Sequence, residues 1–309
     1  MRENTASWRM RELLKSRAPA RALKAYRRWV TPRLTSQRDH IQFSAWARTG
    51  RRLRDQLGTA HVSFEPDGIW ITDTEGLEWH YEPDSWLSAL GKELGWEHEG
   101  GELHSIISAL KPGDTYIDVG GHVGGFAIPV AKAHPDVTIH VFEPVPLTRS
   151  WLEANLARNG LSDRLTIWPN AVGAESSRGR MTGVDGASNH FVETGNAAGP
   201  DAVDVEIMTL DELLLDQVER VDVIKCDVEG AELPAMRGAE RILRRDMPDL
   251  VLEIDRRFTP RFGYEPQELF DFLTSLGYRW KWFEGEDLRN ATDLVQALSQ
   301  TNNFLFTAR

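Results

Sequence analysis

Thr115-Tyr-Ile-Asp-Val-Gly-Gly-His-Val-Gly-Gly-Phe126 is the stretch on which the reading of this chain depends. A short run rich in β-branched residues carries Asp118, a glycine-dense turn follows, and Phe126-Ala-Ile-Pro-Val-Ala131 opens a helix. That is strand, tight turn and helix, with the turn stripped of side chains so that a ligand can approach the backbone. The spacing Asp118-x-Gly120-x-x-x-Gly124 is not the G-x-G-x-x-G that cradles a dinucleotide pyrophosphate. An acid closing the strand suits a ligand that carries hydroxyls or positive charge.

Beyond this stretch, apolar runs and helical spacing alternate. Strands are expected at 115–119, 137–143, 165–168, 221–227, 250–254, 278–283 and 304–307, and helices at 126–133, 146–159, 231–245 and 266–276. This pattern predicts an α/β fold with a doubly wound, mostly parallel, seven-stranded sheet. No helix-length segment of clear amphipathicity separates the last two strands, so one of them is expected to run antiparallel. Residues 174–200, rich in Gly, Ser, Ala and Asn, read as a flexible excursion. Ahead of the sheet, Val62-Ser-Phe64, Ile69-Trp-Ile71 and Leu77-Glu-Trp79-His-Tyr81 alternate around Pro66-Asp-Gly68 and Thr74-Glu-Gly76, the signature of a small antiparallel meander. Helical stretches are expected at 85–94 and 102–110. The chain then divides into a basic helical arm (1–55), a β-meander and helical extension (56–99) and a main domain (100–309).

The 309 residues are 41% hydrophobic and 27% charged, enough to bury a sizeable core. A single cysteine, Cys226, excludes an intrachain disulfide and a cysteine-rich metal site, and points to a reducing, cytoplasmic setting. No apolar run approaches the roughly 20 residues that span a bilayer, and no signal-peptide core follows Met1. Residues 1–54 carry 15 Lys and Arg against 3 Asp and Glu, whereas the remainder carries 21 against 44. A basic arm with apolar residues at helical spacing (Trp8, Met10, Leu13, Leu14, then Leu23, Tyr26 and Val30) suits peripheral contact with the anionic inner face of a membrane. Docking of this face on the acidic body, or on a second copy in a homo-oligomer, with the arginines merely solvated, is the plainer reading, and a cleaved targeting segment is a third. The acidic body argues against nucleic acid as a partner. Seven of the eleven tryptophans precede residue 100; they suit either the core of a small domain or a cleft for sugar rings or flat polyketide surfaces.

In an open α/β sheet, ligands bind beyond the carboxyl ends of the strands. Those ends carry Asp118, Glu143, Asn170, Asp227, and Glu253 with Asp255. Glu143 can accept both ribose hydroxyls of an adenine nucleoside, and Pro144 and Pro146 stiffen the turn that starts the next helix. In Asp227-Val-Glu-Gly-Ala-Glu232 the two glutamates lie three apart at a helix start and share a face. Asp227, Glu229 and Glu232 are candidate general bases, as is His190, in a loop (Gly183–His190) placed to act as a flap. Helix-start acids also serve stability alone. Asp227 with Glu253 or Asp255 offers a further use, an oxygen site for a partly hydrated Mg²⁺.

Asp118-Val-Gly-Gly-His-Val-Gly-Gly-Phe126, Val141-Phe-Glu-Pro144, Asn170-Ala-Val-Gly173, Thr209-Leu-Asp-Glu-Leu213, Ile224-Lys-Cys-Asp-Val-Glu-Gly-Ala-Glu232 and Asn303-Phe-Leu-Phe306 occur in this order. Over roughly residues 100–309 the chain resembles the FkbM family of S-adenosylmethionine-dependent methyltransferases. The resemblance implies a class I, Rossmann-like methyltransferase fold, with S-adenosylmethionine as methyl donor and S-adenosylhomocysteine as product. It implies that Asp118, Gly120, Gly121, His122 and Gly124 line the methionine end of the cofactor. It also implies that Glu143 and Pro144 lie at the ribose, Asn170 and Ala171 at the adenine, and Asp227 between cofactor and acceptor. Family members commonly have Asn at the place of His122 and Ile at the place of Cys226. The implied reaction is O-methylation of a hydroxyl on a small molecule, sugar, lipid-linked glycan or natural-product scaffold. Methylation of RNA or protein, and a non-catalytic S-adenosylmethionine-binding assembly role, are the alternatives. NAD or FAD binding competes on fold grounds but lacks its glycine spacing.

Overall fold

The computed structural model describes residues 61–65, 68–73, 75–81, 100–182, 202–290 and 293–308. The basic arm, the helix expected at 85–94, and His190 with its flap lie outside the described residues.

The chain forms two units, Met1–Trp96 and Glu97–Arg309. In the first, β1 (His61–Glu65), β2 (Gly68–Thr72) and β3 (Glu78–Tyr81) form the expected antiparallel meander. Asp73 closes the β2–β3 turn: Oδ1 accepts from the Glu75 and Leu77 amides, each at 2.9 Å, and Oδ2 accepts from Trp79 Nε1 at 2.9 Å. Trp70, Ile71 and Trp79 are buried, so these two tryptophans serve as core.

The second unit begins with α1 (Gly100–Ala109) and enters the sheet through β4 (Thr115–Val119), α2 (Ala127–Ala133), β5 (Thr138–Phe142), α3 (Pro146–Arg158) and β6 (Leu165–Trp168). A small sheet follows, made of β7 (Ala171–Val172), β8 (Ser177–Met181) and β9 (Val203–Met208) in the order β7-β9-β8. The chain returns through α4 (Leu210–Leu214), β10 (Val223–Cys226), α5 (Glu232–Arg237), α6 (Glu240–Asp246), β11 (Asp249–Glu253) and α7 (Pro266–Ser275). It ends with β12 (Arg279–Glu284), β13 (Asp287–Asn290), α8 (Leu294–Gln300) and β14 (Asn303–Thr307).

The main sheet has the order β13-β12-β14-β11-β10-β4-β5-β6. Strands β6, β5, β4, β10 and β11 are parallel, and β14 runs antiparallel between β11 and β12. The sheet is α/β and mostly parallel, as expected, but has eight strands rather than seven: β12 turns back at Gly285 to pair with β13, whose residues are all exposed. The order reverses around β4, since the chain builds outward to β6 and then crosses back to β10. A crevice therefore opens at the carboxyl ends of β4 and β10.

Three further differences have local causes. The helix expected over 231–245 is two helices, because a Cβ on Gly238 would lie 1.9 Å from the Gly173 carbonyl oxygen; this close approach to the end of β7 marks the break. The excursion expected over 174–200 contains β8, paired with β9 and packed through Met181 and Val205 on Val145 and Ala171. A short helix, α8, does connect β13 to β14, started by Asp293 Oδ1 accepting from the Val295 and Gln296 amides at 2.9 and 3.2 Å.

The far edge is secured by aromatics. Phe270 of α7 lies 4.9 Å from Trp280, 5.1 Å from Phe304 and 5.0 Å from Phe306, centroid to centroid. Phe270→Ala should therefore cost about 3–5 kcal/mol, read as a lower urea midpoint by far-ultraviolet circular dichroism. A loss under about 1 kcal/mol would show that this cluster does not hold the edge.

Candidate functional site

The crevice is built from strand ends whose side chains are held by backbone groups. The turn after β4 is fastened to β5: the Gly120 and Gly121 amides both donate to the Phe142 carbonyl at 3.0 Å, and the His122 amide donates to Glu143 Oε2 at 3.0 Å. His122 takes φ 48°, in the left-handed region that few non-glycine residues enter. The glycines meet a demand of packing as well as of any ligand. A Cβ on Gly120 would lie 1.9 Å from the Asp227 carbonyl oxygen, and one on Gly121 would lie 2.1 Å from Val141 Cγ1. Here the bare turn lets β4 and β10 end side by side.

Asp118 is fully buried, with the Lys225 ammonium 3.8 Å from Oδ1 and the Ala127 amide as a further donor. Burial pushes its carboxyl above the ordinary range, and nearby Lys225 opposes that shift. Glu143, also buried, accepts through Oε1 from the Val145 amide at 2.9 Å and through Oε2 from His122. Burial pushes this carboxyl up to about 7, with the Val145 and His122 amides pulling the other way. Two amide bonds leave a carboxylate with about two of its four lone-pair positions for a ligand. Arg149 stiffens the following bend by donating to the Glu143 and Pro144 carbonyls at 3.0 and 3.1 Å. Phe142 stacks on Trp168 with centroids 5.7 Å apart, and the Trp168 indole N–H donates to His140 Nδ1 at 3.1 Å. Asn170 and Ala171 follow, both buried.

At the end of β10, Asp227 is partly exposed and its Oδ2 lies 3.4 Å from Lys225 Nζ. Glu229 takes φ 55° and Gly230 φ 104°, and a Cβ on Gly230 would lie 2.7 Å from the Phe258 backbone, so this position requires glycine. His122 and Glu229 are thus held in a sparsely populated conformation, and such residues concentrate at functional sites. Burial, then the carboxylates of Asp227, Glu232 and Asp255, push the Glu229 carboxyl to about 7, with Arg261 opposing. Glu232 has a different task. Its Oε1 accepts from the Val228 and Gly230 amides at 3.2 and 3.0 Å, and its Oε2 accepts from Tyr264 Oη at 3.2 Å. It braces the turn that carries Asp227 and Glu229.

At the end of β11 the Mg²⁺ expectation loses its support. Asp255 accepts from the Arg257 guanidinium, from the Arg257 amide at 2.8 Å and from Asn302 Nδ2 at 3.4 Å. Burial pushes its carboxyl up, and the Arg257 hydrogen bonds outweigh that and hold it below the ordinary value. A carboxylate spent in this way is not free to pair with Asp227 around a cation, which leaves Glu253 as the acid that could do so. Among the described residues no group of three or more His, Cys, Asp or Glu side chains is gathered in a metal-binding arrangement.

Two residues at this edge escaped the reading of the sequence. Lys225 is buried between Asp118 and Asp227. Glu102, in the first turn of α1, is buried, reaches Asn303 beside β11, and is pushed to about 7 mainly by burial. A lysine inside an apolar strand was the visible signal for the first; an isolated acid at a helix start offered none for the second.

Residues 118–280, more than half of the chain, match the Methyltransferase FkbM domain. "Methyltransferase 1" of Beauveria bassiana (strain ARSEF 2860) is 31% identical over 152 residues, covering 42% of this chain and 60% of that protein. The 31-O-demethyl-FK506 methyltransferase FkbM of Streptomyces tacrolimicus is 28% identical over 159 residues, covering 42% and 61%. The match thus spans less than two thirds of the length of these curated relatives. A solved FkbM methyltransferase from Methylobacillus flagellatus KT superimposes with a TM-score of 0.44 at 18% identity, covering 72% of this chain and 53% of that one. The chain belongs to the FkbM methyltransferase family.

Proposed function

We propose that this protein transfers a methyl group from S-adenosylmethionine to a hydroxyl of a natural-product or sugar acceptor. The observation that carries the cofactor reading is the pair of buried carboxylates at the crevice. Asp118 is fully buried with Lys225 Nζ 3.8 Å from its Oδ1, and Glu143 has acceptor capacity left on each oxygen. Buried acids with donors still lacking cost stability, and a ligand's donors offset that cost. The ammonium of the methionine part and the ribose diol are the donors such a pair would take, so the residues fit the group.

When bound, S-adenosylmethionine supplies a methyl on a sulfonium, and its displacement by an oxygen leaves a neutral thioether. The protein's part is to orient the two reactants and remove one proton. Glu143 would hold the ribose and Asp118 the methionine end, with Phe142 and Trp168 as an apolar wall toward Asn170 and Ala171 at the adenine. Glu229 is the base we favour. It is half-buried, sits on a turn braced by Glu232, and has a carboxyl pushed to about 7 by burial and neighbouring acids, so it both takes and releases a proton near neutrality. Asp227 beside it orients the acceptor oxygen. His190 remains a second proton acceptor if residues 183–190 form a flap over the crevice.

The acceptor class rests on kinship. One relative's name specifies 31-O-demethyl-FK506, an acceptor lacking an O-methyl group. The basic arm would bring the enzyme to an anionic membrane face when the acceptor is lipid-linked. Among the described residues no helix is long and apolar enough to cross a membrane.

Calorimetry with S-adenosylhomocysteine tests the reading, and uptake of NAD⁺ in its place would overturn it. Glu143→Gln, which keeps the shape but loses a charged acceptor, should weaken S-adenosylhomocysteine binding roughly tenfold; unchanged affinity would remove Glu143 from the ribose. Transfer from radiolabelled S-adenosylmethionine to a panel of hydroxylated macrolides and sugars should rise as pH increases through about 7, since a base acts only when ionised. Glu229→Gln should abolish that rise and slow turnover by at least about 100-fold, with S-adenosylhomocysteine affinity kept within a few-fold; a retained pH profile would assign the proton elsewhere. Finally, the full chain should float with liposomes of anionic lipid, and a chain lacking residues 1–54 should not. Equal flotation would give the arm another task.

A further inference from the structure

Lys225 stands where a lysine is least expected, in a four-residue central strand whose members are all buried. In the parallel pairing of β10 with β4 its Cα partner is Asp118. The period-two geometry of a strand places Asp227 on its own side of β10. Its ammonium lies 3.8 Å from Asp118 Oδ1, 3.4 Å from Asp227 Oδ2, 3.5 Å from the Gly120 carbonyl oxygen and 4.9 Å from the centre of the Phe126 ring. One cation therefore touches the end of β4, the turn, the entry to α2 and the first acid of the Asp227–Glu232 segment.

We propose that Lys225 is a positioning residue: its buried ammonium fixes Asp118 on the cofactor side and Asp227 on the acceptor side relative to one another. The proposal rests on the cofactor reading above and adds the residue that holds the two halves of the site in one geometry. Two carboxylates sharing a dry crevice repel, and a cation between them is the least costly remedy. With an uncharged side chain at 225, Asp118 would be buried without a counter-charge and would take up a proton, losing its hold on an ammonium. Asp118 is also faced by Asp227 and Cys226 from β10, by Glu143 beyond β5 and by Tyr116 on its own strand. None of these supplies positive charge.

The test is calorimetric titration of S-adenosylhomocysteine into the full-length wild type, Lys225→Met, and Lys225→Met/Asp118→Asn, at pH near 6.5 and near 8.5. Lys225→Met should bind at least roughly tenfold more weakly than wild type at the lower pH. That deficit should shrink at the higher pH as Asp118 ionises, whereas the double variant should stay weak at both. Wild-type affinity in Lys225→Met, or a deficit equal at the two pH values, would overturn the proposal, because a packing role alone carries no pH dependence. Where circular dichroism shows Lys225→Met unfolded, the double variant decides. A folded double variant supports charge compensation, and an unfolded one shows that Lys225 acts by packing. A wild type that fails to bind S-adenosylhomocysteine at either pH defeats the cofactor reading itself, and this proposal with it.

Discussion

The close approach of β4 and β10 at their carboxyl ends is the constraint on which the rest of the site depends. It requires glycine at 120, where a Cβ would lie 1.9 Å from the Asp227 carbonyl oxygen. It also sets Asp118 opposite Lys225 in the register of two fully buried strands. Both side chains of the pair are buried with the strands that carry them. Because the chain order reverses around β4, this same junction is where the sheet leaves a crevice. Packing, charge and ligand access thus meet at one point.

From that junction the two sides of the site differ in how they are held. On the cofactor side, backbone amides do the work: the turn is bonded to the Phe142 carbonyl and to Glu143, so the acid that would bind ribose also anchors the loop. On the other side a second carboxylate, Glu232, braces a short turn from within and leaves Asp227 and Glu229 partly exposed. Acids are therefore used twice over, some to build the frame and some to act in it. The raised carboxyls of Glu143, Glu229 and Glu232 follow first from burial, with repulsion from neighbouring acids adding to it.

Much of this was legible in the sequence. Buried parallel strands announce themselves as short apolar runs, and the residues that end them mark the ligand edge, so Asp118, Glu143, Asn170 and Asp227 could be placed before any coordinates. What stayed hidden had no one-dimensional signature. β13 has every residue exposed and so shows no alternation; α4 and α8, at 5 and 7 residues, are too short for helical periodicity to emerge. The partner of Lys225 depends on strand register, which the spacing of residues 107 apart does not reveal. Glu229 and Glu232 look equivalent in the chain, and only the folded turn separates the buried brace, Glu232, from the half-buried Glu229. Asp255 resembled a metal ligand until Arg257, two residues on, was seen to occupy it.

Asp118 and Glu143 are the two carboxylates that would receive an adenine nucleoside carrying a sulfonium. A crystal structure of the full chain with S-adenosylhomocysteine is the most direct measurement. It should show the ribose diol on the Glu143 carboxylate and the amino group of the homocysteine part at Asp118. A nucleoside bound away from the β4–β10 crevice, or ribose hydroxyls turned from Glu143, would contradict it.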